Sequence, residues 1–246
     1  KYGYAKDVNQ PNIVIIYGDD VGYGDIGAYG AEKIPTPNID KLADNGLLFT
    51  NAYSSAATCT PSRYSLLTGE YSFRNERAKV LSGEAPLLIE PGSPTLPSVL
   101  GKKGYRSAVI GKWHLGMGSG DVNWNKEIKP GPLEVGFDHS FVIPATNDRV
   151  PTVYVKNHRV YQLSEEDKPL RVSYQKEIGD LPTGLSHPEK LRYPADTQHS
   201  GTIINKISRI GWMEGGQSAW WDDEKMPFVF AERSNDFIEE NKNRPF

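Results

Sequence analysis

The segment Cys59-Thr60-Pro61-Ser62-Arg63 sets the only thiol of the sequence four positions ahead of a guanidinium. Thr60 and Pro61 read as the N-cap and first position of a helix that runs to Thr68 and stops at Gly69. A thiol just ahead of a helix N-terminus has a depressed pKa, and an arginine one turn later offers a planar fork of donors to an oxyanion. Together they describe an anion site; taken alone, the cysteine is better read as a small buried hydrophobe beside a capped helix. Asp19-Asp20 is a second chemical feature, two adjacent carboxylates that suit a hard divalent cation or a solvated turn. Lys112 and His114 form a third, two positions apart in a segment read as extended, where alternate side chains share a face.

These groups need elements to hold them. Asn12 to Tyr17 is a short apolar, β-branched run that suits a buried parallel strand and delivers Asp19-Asp20 at its carboxyl end. Pro37 onward carries Ile39, Leu42 and Ala43 on one helical face with Gly46 as the stop, and 47–53 alternates as a second strand. Residues 96–103 read as a helix and 105–110 as a strand that presents Gly111-Lys112-Trp113-His114. Residues 117–136 are glycine-rich and irregular, and 150–200 read as surface excursions with one β pattern at Val153-Tyr154-Val155. Isoleucines 203, 204, 207 and 210 predict a helix over 201–213, and 229–241 a final one. Strand and helix alternating in this way predict an α/β domain with a largely parallel sheet, whose ligands gather at strand carboxyl ends. Trp220-Trp221 is better read as buried packing than as a sugar platform, and Gly215-Gly216 as a turn.

Composition narrows the partners. Lys and Arg number 28 against 31 Asp and Glu over 246 residues, a net charge of −3, so no basic field exists to hold nucleic acid or an anionic membrane. Any anion must be bound by local charges. No apolar run approaches the roughly 18 residues of a membrane span, and one cysteine excludes an internal disulfide and a cysteine-rich zinc site.

Cys59-Thr60-Pro61-Ser62-Arg63 resembles the Cys-x-Pro-Ser-Arg signature of the type I sulfatases. Asn12 to Gly27 is similar to that family's opening strand and metal loop, Pro35 to Ala43 to its first helix, and Gly104 to Gly116 to its Gly-Lys-Trp-His-Leu-Gly element; Gly136-Phe137-Asp138 matches as well. The resemblance implies an alkaline phosphatase-like α/β fold, a largely parallel central sheet flanked by helices, of which residues 1–246 are the amino-terminal portion of one catalytic domain. It implies hydrolysis of an aryl or glycan sulfate ester at a formylglycine made from Cys59 by a separate maturation enzyme, with a calcium ion held by Asp19, Asp20 and modified Cys59. Arg63 then stabilises the nucleophile, Lys112 binds a sulfate oxygen, His114 helps to remove a proton, and Thr146 stands where the family often has a serine near sulfate. The 246-residue chain by itself is expected to be inactive, and the lack of disulfides and of Asn-x-Ser/Thr acceptors leans toward a bacterial periplasmic or secreted enzyme. Two alternatives remain at this stage. One is a phosphate or phosphonate hydrolase of the same superfamily, for which a serine or threonine nucleophile is expected; the other is a non-catalytic glycan-binding module.

Overall fold

The computed structural model describes residues 10–246. Its organising element is β2 (His139–Ile143), a strand buried on both faces. Side chains alternate across a strand, so Val142 enters one apolar cluster while Phe141 and Ile143 enter another. β1 (Ala108–Lys112) lies parallel to β2, pairing Ala108 with His139 and Lys112 with Ile143. The antiparallel ribbon β3 (Val155–Lys156) and β4 (Arg159–Val160) continues the sheet from the other edge of β2, giving the order β1-β2-β3-β4. The sheet is therefore mixed within the described residues, with one parallel pair.

Among the described residues four α-helices accompany it. α1 (Pro37–Asn45) starts and stops where its proline and Gly46 predict. α2 (Cys59–Thr68) starts at Cys59, earlier than the Thr60-Pro61 pair suggests, because Thr58 stands at the N-cap and the Thr60 hydroxyl turns inward to donate to the His114 carbonyl at 2.8 Å. Cys59 thus lies inside the first turn. α3 (Leu96–Gly101) is capped by Thr95, whose hydroxyl accepts from the Ser98 N–H. α4 (Met226–Asn241) begins three residues before the predicted helix and covers the Phe141 face through Val229 and Phe230. Trp221 is buried against Tyr154, and Trp220 donates to the Gly215 carbonyl, so both tryptophans serve packing.

Three expected elements differ. Residues 12–17 and 47–53 are exposed and form no strand. An apolar run becomes a strand only when its N–H and C=O groups find neighbours, and the one backbone bond to the first run joins Ile13 to Phe246. The helix expected over 201–213 is instead a hairpin, β6 (Ile203–Ile204) with β7 (Ile207–Ser208), followed by β8 (Trp212–Glu214) paired with β5 (Arg171–Ser173). Asn205 and Lys206, with φ of 53° and 65°, make the two-residue turn whose twist suits a hairpin. Gly201 lies so close to the Gly211 carbonyl that a Cβ there has no room, which locks the two ends of the segment together. No helix among the described residues is long and apolar enough to cross a membrane.

Candidate active site

β1 ends at Lys112, and the chain then turns. Trp113 still donates to the Ile143 carbonyl, but His114 adopts φ 53°, so the segment is not extended through both residues. Gly116 allows the turn to pack against the Pro86 carbonyl, where a Cβ would collide. α2 is fixed beside this turn by Thr60, fully buried, which bonds His114. The thiol of α2 and the Lys112-His114 turn are therefore tied together by a hydrogen bond from the helix's own first turn.

Arg63 reaches from α2 to the end of β1, donating from Nη1 to the Lys112 carbonyl at 2.7 Å, while Nη2 stands 3.8 Å from Asp19. Lys112 Nζ donates to the same Asp19 carboxylate at 2.5 Å. Asp19, Arg63 and Lys112, drawn from three separate stretches of sequence, thus meet at one point. Burial pushes the Arg63 guanidinium below its ordinary range, against the opposing pull of Asp19, Cys59 and Tyr17. Asp20 is exposed with φ 55° and holds no partner among the described residues.

His114 is the most buried titratable group of the cluster, at 1% exposure. Its Nε2 lies 2.8 Å from the Leu81 carbonyl, which only accepts, so Nε2 carries the proton. Nδ1 is left buried with a free lone pair and no partner among the described residues. Burial above all, opposed by the Leu81 bond and aided by the charges of Lys112, Arg149 and Arg63, lowers the pKa to about 4. The result is a neutral, weakly basic imidazole with one bare nitrogen, close to three cations that favour an anion beside it.

Thr146 follows β2 and is buried, its hydroxyl accepting from Arg149 Nη1 at 2.7 Å. Asp148 extends this hydrogen-bonded chain: its Oδ2 lies 3.1 Å from His199 Nε2, and His199 Nδ1 lies 2.9 Å from Asp196. Burial raises the Asp148 pKa, but hydrogen bonds from Thr146 and His199 and the charge of Arg149 bring it below the ordinary value. His199 loses some basicity to burial and gains more from its two aspartates, so it titrates above its usual value. Asp148 and Arg149 are legible as a charged pair just past a strand end; nothing local to His199 links it to a segment 50 residues earlier.

The donor chemistry of Asp19 and Asp20 suits calcium, and the two cations drawn to Asp19 show where positive charge is favoured. Two carboxylates supply part of the six to eight oxygens calcium takes. Among the described residues no group of three or more His, Cys, Asp or Glu side chains is arranged to hold a metal.

The family model described as Sulfatase matches residues 11–176, well over half of the chain and all of the cluster except His199 and Asp196. The chain belongs to the sulfatase family. An N-acetylgalactosamine-6-O-sulfatase of Bacteroides thetaiotaomicron is 46% identical over 243 residues, covering 98% of this chain and 47% of that protein. Mouse arylsulfatase G is 44% identical over 140 residues, 56% of this chain and 25% of its own. A solved structure described under the metabolism of multiple glycosaminoglycans by B. thetaiotaomicron superposes with a TM-score of 0.94 at 46% identity, over 97% of this chain and 50% of that one. The fold is the α/β fold of these sulfatases, and the chain spans half or less of the length of each relative.

Proposed function

We propose that residues 1–246 form the amino-terminal portion of a catalytic domain that hydrolyses a sulfate ester of a glycan, with Cys59, after conversion to formylglycine, as the nucleophile. The observation that carries this reading is the convergence of Arg63, Lys112 and Arg149 around a neutral His114, at the end of β1 and against the helix that begins with Cys59. A protein of net charge −3 that concentrates three cations at one turn is built for a local anion.

The chemistry sets each role. A hydrated aldehyde at Cys59 offers two hydroxyls on one carbon: one attacks sulfur and displaces the sugar alcohol, and deprotonation of the other lets the carbon return to aldehyde and expel sulfate. Arg63, one helical turn from Cys59, holds and stabilises the attacking oxygen. The Lys112 ammonium neutralises a sulfate oxygen. His114 Nδ1 receives the proton of the second hydroxyl, which its low basicity allows it to release again. Asp19, Asp20 and the modified Cys59 would hold a calcium ion, which would supply positive charge to neutralise the sulfate and to lower the pKa of the attacking hydroxyl. Thr146, Asp148, Arg149 and His199 form a chain of donors and acceptors at hydrogen-bond spacing, chemistry that suits sugar hydroxyls. The relative named N-acetylgalactosamine-6-O-sulfatase, aligned over 98% of this chain, supports a 6-O-sulfated galactosamine as substrate. A maturation enzyme is the partner this chemistry requires, and a periplasmic or secreted location suits sulfated glycans as substrates.

The test is mass analysis of the Cys59 peptide together with sulfate release by the full-length protein. An aldehyde at Cys59, and loss of sulfate release in Cys59→Ala, are the expected results. An unmodified thiol in fully active protein overturns the mechanism, and release of phosphate but not sulfate overturns the substrate class.

A further inference from the structure

The hydroxyl of Thr60 closes a circuit of three hydrogen bonds. It donates to the His114 carbonyl at 2.8 Å and accepts from the Leu81 N–H at 3.4 Å, while the Leu81 carbonyl accepts from His114 Nε2 at 2.8 Å. The circuit therefore meets His114 twice, once at its backbone and once at its imidazole. Leu81 lies 21 positions from Thr60 and His114 lies 54, so no local pattern requires the arrangement.

Thr58 stands at the N-cap of α2, so the helix does not need Thr60 as its cap, and the Thr60 side chain is fully buried. Its partners have no alternative: among the described residues the Leu81 N–H and the His114 carbonyl each bond only to Thr60. His114 also sits at φ 53°, a left-handed backbone that a non-glycine residue keeps only where its surroundings hold it. Pro144 holds one side, accepting from the His114 N–H at 3.0 Å, and Thr60 holds the other. Leu81 is pinned a second time two residues on, where Gly83 lies against the Val150 carbonyl and the Tyr174 hydroxyl with no room for a Cβ.

We propose that Thr60 is a positioning residue of the proposed hydrolysis: through the His114 carbonyl and the Leu81 N–H, its one hydroxyl holds the imidazole with the proton on Nε2 and Nδ1 bare. The role rests on the reading of His114 as the group that receives a proton during sulfate release. The Leu81 carbonyl only accepts, so whatever fixes that carbonyl against Nε2 decides which ring nitrogen is left to take the proton. Thr60 directly follows Cys59, so the residue next to the nucleophile also orients the acceptor. Loss of the hydroxyl leaves a backbone donor and a backbone acceptor unpaired, and both are relieved only by moving Leu81 and His114. Valine at this position keeps the branched shape without the hydroxyl, and serine keeps the hydroxyl without the branch. The two substitutions separate hydrogen bonding from packing.

The test compares Thr60→Val, Thr60→Ser and Thr95→Val with the parent in the full-length protein. The readings are sulfate release and nitrogen NMR of isotope-labelled histidine at neutral pH, with the His114 resonances assigned through His114→Asn. Thr95 is a matched control, buried and bonded through its hydroxyl to the Val135 carbonyl, but it caps α3 and lies outside the circuit. The parent is expected to show a protonated, pyrrole-like Nε2 and a bare, pyridine-like Nδ1. In Thr60→Val the two resonances are expected to move toward each other as the tautomers mix. Its kcat is expected to fall on the order of ten- to a hundredfold with KM within about twofold, the signature of a misplaced group that binds no substrate. Thr60→Ser is expected to stay within about threefold of the parent, since it loses only the stiffness of the branch. Thr95→Val is expected to match the parent in both readings. An unmoved His114 spectrum in Thr60→Val overturns the proposal, as does an equal loss of kcat in Thr95→Val or a parent whose proton lies on Nδ1. If Thr60→Val does not fold, Thr60→Ala, which sets no methyl against the freed backbone groups, is judged by the same criteria. If the parent releases no sulfate, the proposed chemistry fails, while the tautomer comparison still decides whether Thr60 holds His114.

Discussion

His114 combines a left-handed backbone, complete burial and a bare Nδ1. With burial the leading cause, its folded-state pKa of about 4 lies below the ordinary 6.5. The unfolded chain therefore binds the extra proton first, and stability falls as pH drops from about 6.5 toward 4 and levels off below. The shift corresponds to up to about 3 kcal/mol. His114→Asn tolerates the same backbone and carries no titrating group, so its urea-unfolding free energy is expected to vary less over this range than that of the parent. Parallel pH dependences would show that His114 does not titrate as its burial requires. Arg149 makes a second residue-level prediction, for the full-length protein. As one of the three cations near His114, Arg149 is expected on replacement by Ala to raise KM about tenfold or more for both 6-sulfated galactosamine and a simple aryl sulfate, the worth of one charge-assisted hydrogen bond; a loss confined to the sugar substrate assigns it to the sugar hydroxyls instead.

At the level of elements, local pattern was enough where the deciding information was local. α1 and β1 lie within three residues of their sequence-read positions, because proline and glycine punctuation or a β-branched run fixes them. Cys59, Arg63, Lys112 and His114 were likewise visible as candidates, since each lies in a short contiguous motif; His199 was not, since only the folded chain brings it to Asp148. The β6–β7 hairpin shows the failure in physical terms. Isoleucines at 203, 204 and 207 satisfy helical spacing and equally satisfy two strands joined across a two-residue turn. The choice is made by the close approach of Gly201 to Gly211 and by Arg209, which no spacing rule sees. The turn also stores correctable strain. Lys206 is a non-glycine residue at φ 65°, and Lys206→Gly leaves the backbone bond from Arg192 to its carbonyl in place. That substitution is expected to stabilise the protein by about 1 kcal/mol, read as a rise in the urea midpoint. The opposite sign is expected for Asp223→Ala. Arg209, 1% exposed, pairs with Asp223 at 2.6 Å, and stranding its charge costs about 3–5 kcal/mol.

Across the whole molecule burial is divided sharply along the sequence. Among the described residues none before Thr60 is buried, whereas both apolar clusters lie between Tyr64 and Met226. Exposed Ile16, Leu42, Leu47 and Phe49 contribute little to cohesion, so the 18–57 region opens at low free-energy cost while β2 and its neighbours open only globally. Limited proteolysis of residues 1–246 is expected to cut within 18–57 first and to leave a resistant core beginning near α2; simultaneous cleavage throughout would contradict this. The same division bears on the proposed calcium site. Asp19 sits in the weakly held region, and Lys112 and Arg63 already compete for its carboxylate. A calcium ion must displace that ammonium, draw on only two carboxylates, and order the loop that carries them. Residues 1–246 alone are accordingly expected to bind calcium with a millimolar or weaker Kd by titration calorimetry, and to release no sulfate even when mass analysis shows the Cys59 aldehyde. Lys112→Met removes the competitor. It should tighten calcium binding by this chain while doing nothing for sulfate release, and an unchanged Kd would mean that loop ordering, not the ammonium on Asp19, limits the site.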